Sequence, residues 1–293
     1  MKKVVTHNGR FHADDVFAVA ILAIYFNDEI EIIRTRDEST ISLADIVLDV
    51  GRVYDPSKQK FDHHQDTFTE KRPNNIPYSA VGLIWKEYGD KITNDKALTS
   101  RLDKILFEKI DAEDNGIDFV HPDHLIYQPY TIQDVISSFV PSFKNKNDVA
   151  EYEGFIKAVE FAKQLINQVV NKLKDNIEGE NLAREVIEKQ KDNQYVVIEN
   201  RIPWSSVILD YEKPLFIVEF NPNNNEWRIT AIRKSEKSLF DVRKDLPQSW
   251  GGKEGSNLEK VTGVKGARFC HKGLFLAVAS DKESAIKLVE LAL

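Results

Sequence analysis

Two hydrophobic periods alternate along the N-terminal part of the chain, and that alternation narrows the folds open to it. Lys3 to His7 is a short β run. Ala13 to Phe26 is apolar at helical spacing, through Val16, Phe17, Val19, Ala20, Ala23 and Ile24. Ile30 to Thr35 and Asp45 to Val50 are two further strands, the last bounded by Gly51. Strands interleaved with helices build βαβ units and a mostly parallel sheet flanked by helices. A helix over Pro77 to Tyr88, opened by its proline, and another over Leu98 to Ile110 continue the pattern. After the polar stretch Pro141 to Asn147, Asp148 to Gln190 is helical, with an interruption expected near Asn176 to Glu180. From Tyr195 the character changes. Tyr195 to Glu199, Pro214 to Phe220 and Glu226 to Arg233 are strands, the last two joined by Asn221-Pro222-Asn223-Asn224-Asn225. A glycine-rich stretch, a strand over Phe275 to Ala279 and a helix from Lys282 follow. The expected class is α/β: a catalytic domain over residues 1–145, a helical connector over 146–192, and a smaller α+β substrate-binding domain over 193–293.

Composition removes several function classes. Of 293 residues, 42% are hydrophobic and 30% charged, enough apolar material for a core and too much for dominant disorder. Forty basic against forty-seven acidic side chains leave a formal charge of −7, which argues against coating nucleic acid by bulk charge but permits a local basic groove. The single cysteine, Cys270, excludes an internal disulfide framework and a cysteine-rich zinc module. No apolar run approaches the roughly 20 residues of a membrane span. Met1 to Thr6 has neither the signal-peptide nor the transit-peptide pattern. A cytoplasmic protein without membrane contact is expected.

Four of the seven histidines fall within the first 64 residues, each close to aspartate. The clusters are His7 to Asp15, Asp49-Val50-Gly51, Phe61-Asp62-His63-His64-Gln65 and Asp111 to Gly116. The first two follow strands, and in open α/β sheets ligands bind beyond the carboxyl ends of strands. Taken singly, such residues serve as turn or cap residues more often than as ligands. Four clusters in one α/β pattern weaken that reading. Imidazole and carboxylate without thiolate suit Mn²⁺, Mg²⁺, Fe²⁺ or Zn²⁺, and several carboxylates brought together repel unless cations sit between them. Two metals would flank a phosphoryl group and activate a hydroxide, with Asp49 as a candidate bridge. One histidine of the His63-His64 pair would ligate and the other would serve as general acid.

These residues resemble a known family. Asp62-His63-His64 is similar to the signature triplet of the DHH phosphoesterase superfamily. More closely, Thr6-His7-Asn8-Gly9-x-Phe11-His12-x-Asp14-Asp15, Asp49-Val50-Gly51, Phe61 to Gln65 and Asp111-x-x-Asp114-Asn115-Gly116 resemble the Myg exonuclease family (melanocyte-proliferating-gene type). The resemblance extends to Trp227-Arg228, Leu246-Pro247 and Gly263 to His271. It implies a two-domain fold, two Mn²⁺ or Mg²⁺ ions, and 3′-to-5′ exonuclease activity on single-stranded RNA. The implied metal ligands are His7, His12, Asp14, Asp15, Asp49, His63 and one of Asp111 and Asp114, with Asp114 preferred; His64 and Asp62 are the catalytic pair. The first motif departs from the superfamily, which spaces His and two Asp at i, i+4 and i+6. With one inserted residue His12 and Asp14 take those places, so a histidine replaces an aspartate and the role of Asp15 stays open.

Between Gly251 and Gly273 five basic residues oppose two acidic ones, a local excess of +3. Arg228, Arg243, Gly266, Arg268 and His271 are the candidate phosphate contacts. Trp204, Trp227 and Trp250 are candidate stacking platforms, although tryptophan is more often core. The leading expectation is an exonuclease on single-stranded nucleic acid, with a homodimer left open. The alternatives are a small-molecule phosphatase acting on pyrophosphate, a nucleoside bisphosphate or a cyclic dinucleotide, and a non-catalytic metal- or nucleotide-binding regulator.

Overall fold

The computed structural model describes residues 1–117, 129–238 and 241–293, and the chain divides into two compact units, Met1–Lys174 and Asp175–Leu293. The first unit carries β1 (Lys2–Thr6), α1 (Ala13–Tyr25), β2 (Ile30–Arg34), α2 (Glu38–Ser42), β3 (Ile46–Leu48), β4 (Tyr54–Asp55) and β5 (Lys60–Phe61). It continues through α3 (Ala80–Thr93), α4 (Lys96–Leu102), a π-helical turn over Asp103–Phe107, α5 (Glu108–Asp114) and α6 (Ile132–Ser137). The helix α7 (Asp148–Glu188) runs through the boundary between the units.

The sheet has the order β2-β1-β3-β5-β4, parallel throughout except where β4 runs against β5. Successive side chains of a strand face opposite sides. Val4 accordingly enters the large apolar cluster formed with α1, α3 and α7, while Val5 joins a small cluster with Val47 and Val50, flanked by Ile41 of α2. Helix α1 is buried from Ala13 to Ala23, which explains its nearly uninterrupted apolar sequence. Phe17, Ile21 and Leu22 are fully enclosed, each worth about 2–3 kcal/mol of burial.

Helix α3 starts three residues later than its proline suggests. Pro77 instead bridges to Lys71, and the Tyr78 N–H donates to the Glu70 carbonyl, so the chain is still extended there and Ser79 becomes the cap residue. The break expected in α7 is absent. Gly179 marks a close approach instead: a Cβ there would lie 2.4 Å from Cδ of Pro203.

The second unit carries β6 (Tyr195–Ile198), β7 (Phe216–Asn221), β8 (Glu226–Ala231), α8 (Gly255–Thr262), β9 (Ala267–Cys270), β10 (Leu276–Ala279) and α9 (Lys282–Ala292). Its sheet order is β6-β7-β8-β10-β9, with β6 parallel to β7 and the remaining pairs antiparallel. Phe216 and Val218 face a core shared with Leu288 and Val289 of α9, whereas Ile217 packs with Ala183 and Ile187 of α7. The asparagine-rich turn joins β7 to β8 with Asn221 paired to Glu226. Both sheets are therefore mixed, and the protein is α/β.

Candidate metal centre

The parallel strands deliver their following loops to one edge of the first sheet. His7 follows β1, Asp49 follows β3, and His63 and His64 follow β5. Asp14 and Asp15 stand in the first turn of α1, and Asp114 ends α5. The side chains meet. His7 Nε2 lies 3.2 Å from Asp49 Oδ2 and 3.4 Å from Asp15 Oδ2. His63 Nε2 lies 3.2 Å from Asp49 Oδ1, 3.6 Å from Asp114 Oδ2 and 3.7 Å from Asp14 Oδ2. Potential ligand atoms in each of the sets His7/His12/Asp49, Asp49/His63/His64, Asp14/His63/Asp114 and Asp14/Asp15/Asp49 lie within 4.8 Å of one another. Asp49 belongs to three of these sets, and its backbone takes the left-handed conformation, with φ of 54°.

The surrounding chain fixes this geometry. Asp15 Oδ1 accepts from the His12 N–H at 2.9 Å, holding one oxygen at the helix start and leaving the other toward His7. Asp14 Oδ2 takes a long 3.4 Å bond from the Ala80 N–H at the start of α3. The Arg34 guanidinium, 4.5 Å from the Phe155 ring centre and 5.2 Å from that of Phe11, donates to the Gly9 carbonyl at 2.7 Å and anchors the loop after β1.

Burial sets the electrostatics. It drives the Asp14 carboxyl well above its ordinary value, with Asp49 and Asp114 adding repulsion. Burial likewise pushes Asp15 to about 7 against the opposing pull of His7, and raises Asp114. Asp49 would also rise from burial, but hydrogen bonds from His63 and His7 hold it below the usual carboxylate range. His7 is raised because Asp49 and Asp15 outweigh its burial, and His12 is lowered by burial and by His7. Asp14 Oδ1 and Asp15 Oδ2 are buried without a hydrogen-bond partner among the described residues, and Asp49 Oδ1 and His63 Nε2, 3.2 Å apart, face each other without good hydrogen-bond geometry. Unpartnered buried carboxylate oxygens are costly, and divalent cations held by these groups would satisfy them. The oxygen and nitrogen donor set, free of sulfur, fits a hard or borderline metal.

A model of the family MYG1_exonuc, described as an uncharacterised protein family (UPF0160), matches residues 3–293. The chain belongs to this family. Its relatives include MYG1 protein C694.04c of Schizosaccharomyces pombe, 30% identical over 319 residues that cover 99% of this chain and 97% of the relative. The protein called MYG1 exonuclease in Homo sapiens is 28% identical over 324 residues, covering 99% of this chain and 85% of the human one. Among solved structures, the pGpG-specific phosphodiesterase PggH from Vibrio cholerae covers 99% of this chain and 96% of its own, at 14% identity and a TM-score of 0.32, a likeness too distant to bear on fold or function.

Within this MYG1-family chain two expected ligands part company. Asp111 does not join the cluster. Its Oδ1 accepts from Ser79 N–H at 3.0 Å, Ser79 Oγ at 2.7 Å and Gly82 N–H at 3.1 Å, and its Oδ2 accepts from Arg72 Nε at 2.6 Å. Both oxygens are spent on tying α5 to the start of α3. Asp114, one turn on, faces the histidines. Asp62 also turns aside: Oδ2 accepts from the Arg52 N–H at 2.6 Å, and Oδ1 lies 2.8 Å from His64 Nδ1. The hydrogen bond to Asp62 raises His64, whose side chain is 57% exposed and so open on its other nitrogen. Sequence reasoning missed Arg72, which is buried, holds Asp103 through two bonds of 2.7 and 2.9 Å, and lies over Tyr78. Nothing in its local sequence announces it.

In the second unit Arg243 is committed to the fold rather than free for phosphate. Its guanidinium donates to the carbonyls of Tyr211 and Pro214 at 2.5 and 2.8 Å. Arg228 is paired with Glu226 at 3.0 Å, and the Gly266 N–H donates to Glu259 at 2.7 Å. Arg268 is exposed, and His271 packs against Phe275 while its Nδ1 accepts from the Gly273 N–H. Trp250 is core, Trp204 donates to Glu219, and Trp227 is half-buried beside Phe220.

Proposed function

We propose that this protein is a metal-dependent phosphodiesterase with a DHH-like catalytic arrangement that removes nucleotides from the 3′ end of single-stranded RNA. One observation carries the reading: imidazoles and carboxylates from four separate stretches of chain converge, with buried oxygens of Asp14 and Asp15 left unpartnered among the described residues. The family's relatives that carry the name exonuclease support it, and the chain is accordingly a hydrolase of phosphoester bonds. His7, His12, Asp14, Asp15, Asp49, His63 and Asp114 would hold two Mn²⁺ or Mg²⁺ ions, with Asp49 shared between them.

The bound metals would polarise the phosphoryl group and acidify water. The chain's own residues do the rest. Hydrolysis forms one P–O bond from water and breaks the bond to the leaving oxygen, which needs a proton. His64 supplies it from Nε2. Asp62 acts through His64: its carboxylate fixes the Nδ1–H tautomer and favours the charged imidazole. Asp62 is thus a positioning residue. Arg228, Gly266, Arg268 and His271 of the second unit remain the proposed contacts for the strand, and the cytoplasm the proposed compartment. Among the described residues no helix is long and apolar enough to cross a membrane.

The test is hydrolysis of 5′-labelled single-stranded RNA, single-stranded DNA, pyrophosphate and a nucleoside bisphosphate with Mn²⁺, Mg²⁺ or EDTA. The expected result is a ladder shortening from the 3′ end of RNA and abolished by EDTA. Intact RNA with phosphate released from the small substrates would replace the exonuclease by a phosphatase. Metal binding without turnover of any substrate would leave a regulator.

A further inference from the structure

The cavity over the metal centre has a volume of about 1270 Å³, more than the roughly 300–1,000 Å³ of a pocket for one small ligand. Its acidic floor is the ligand cluster. Its rim is cationic: Arg10, Arg36, Arg52 and Lys60 line it, opposed outside the cluster by Glu38, Glu113 and Asp62, the last held by the Arg52 N–H and His64. Arg10, Arg36 and Arg52 are exposed and Lys60 is half-buried. Among the described residues none of the four cationic groups makes an ion pair, so all four remain available to a ligand in the cavity. In a chain of charge −7, four cations gathered around one cavity make a local positive field that favours an anionic ligand.

Their placement follows from the sheet. Arg10, Arg36 and Arg52 come shortly after β1, β2 and β3, so the edge that directs His7 and Asp49 inward also sets a guanidinium beside each loop. The turn after β3 is tightly wound. Asp49, Gly51 and Arg52 have φ of 54°, 91° and 53°, a left-handed conformation that is strained for the two non-glycine residues. The Arg52 N–H offsets part of that strain through its bond to Asp62, the residue that orients His64. Arg52 also lines a recess of about 360 Å³, so the two hollows share this residue.

We infer that Arg10, Arg36, Arg52 and Lys60 form a phosphate clamp on the catalytic unit itself, which grips phosphates next to the scissile one and selects substrates carrying at least two of them. This rests on the phosphodiesterase reading above. It sharpens that reading in one respect: substrate recognition begins beside the metals and does not depend on the second unit alone. Guanidinium groups suit the task because they bind phosphate oxygens bidentately without deprotonating.

The experiment compares a 5′-phosphorylated single-stranded pentaribonucleotide with bis(4-nitrophenyl) phosphate, which has one phosphodiester and no neighbour. The proteins are the unsubstituted chain, Arg36→Gln, Arg52→Gln, the double variant and Arg36→Lys, all Mn²⁺-loaded. Each glutamine should lower kcat/KM about tenfold for the pentanucleotide, as one lost charge-assisted contact implies. The loss for bis(4-nitrophenyl) phosphate should be at least fivefold smaller, and Arg36→Lys should recover part of it. Removing each cation should flatten the dependence of log kcat/KM on log salt by about 0.7. Equal losses on both substrates, an unchanged salt slope, or an unsubstituted protein with no preference for the strand would overturn the clamp. Failure of the unsubstituted protein on both substrates would instead overturn the phosphodiesterase reading.

Discussion

Metal binding should reverse the way this protein's stability responds to pH. Asp15 rises from an ordinary 3.8 to about 7 in the fold. Between those values the folded state holds a proton that the unfolded chain has released, so raising the pH across that window destabilises the metal-free protein. At about 1.4 kcal/mol for each pH unit, the loss from Asp15 alone is about 4 kcal/mol. Asp14 and Asp114 are raised by the same burial and act in the same direction. His7 and His64, also raised, contribute stability that is present below about 6.5 and lost as the pH climbs through their folded values. His12, lowered by burial, opposes them weakly. Asp49 and Asp62 are held low and lose their contribution only in acid. A bound cation replaces those protons, since its ligands must be deprotonated. From pH 5.5 to 7 the Asp15 contribution is about 2 kcal/mol, so the rise in Tm on adding about 1 mM Mn²⁺ to protein in EDTA should be small near pH 5.5 and larger by roughly 4–8 °C near pH 7.5. Asp111, at about 6, lies outside the ligand set and is common to both arms, so the difference isolates the site. Differential scanning calorimetry measures it. A Mn²⁺ effect equal at all pH values, or a metal-free protein that gains stability from pH 5.5 to 7.5, would refute the reasoning.

Asp49→Asn should weaken Mn²⁺ binding by at least about 100-fold in isothermal titration, because Asp49 contacts both His7 and His63. His64→Gln should lower kcat by about 10²- to 10⁴-fold and remove the alkaline limb of the pH–rate profile; a KM defect at constant kcat would contradict its role as acid. Arg72→Met leaves Asp111 buried and uncompensated and should cost about 3–5 kcal/mol in urea denaturation. Adding Asp111→Asn to it should restore part of that loss.

Which parts of this protein could be read from its sequence depends on whether the residue type or the partner decides. The convergence of these histidines and aspartates was legible because metal chemistry would demand imidazole and carboxylate together, and a parallel sheet delivers them at strand ends. His7, Asp49 and His63 lie there and nowhere else. Asp111 has the same residue type and lies three residues from Asp114, yet its fate was set by Arg72, thirty-nine positions away and without a pattern of its own. Arg243 is a parallel case: an arginine suited to phosphate was claimed by carbonyls near the start of β7. The fold divides in the same way. Long elements such as α1 and β7 follow from periodicity, but β4 and β5 span two residues each and hold no period to detect. Gly179 illustrates the ambiguity of a glycine, since the residue that suggests a break also permits close packing, and only the position of Pro203 decides between them. The cationic rim was hidden by a similar ambiguity. An arginine after a strand is ordinary on any surface, and it gains meaning only when three strands of one sheet each place one around the same acidic hollow.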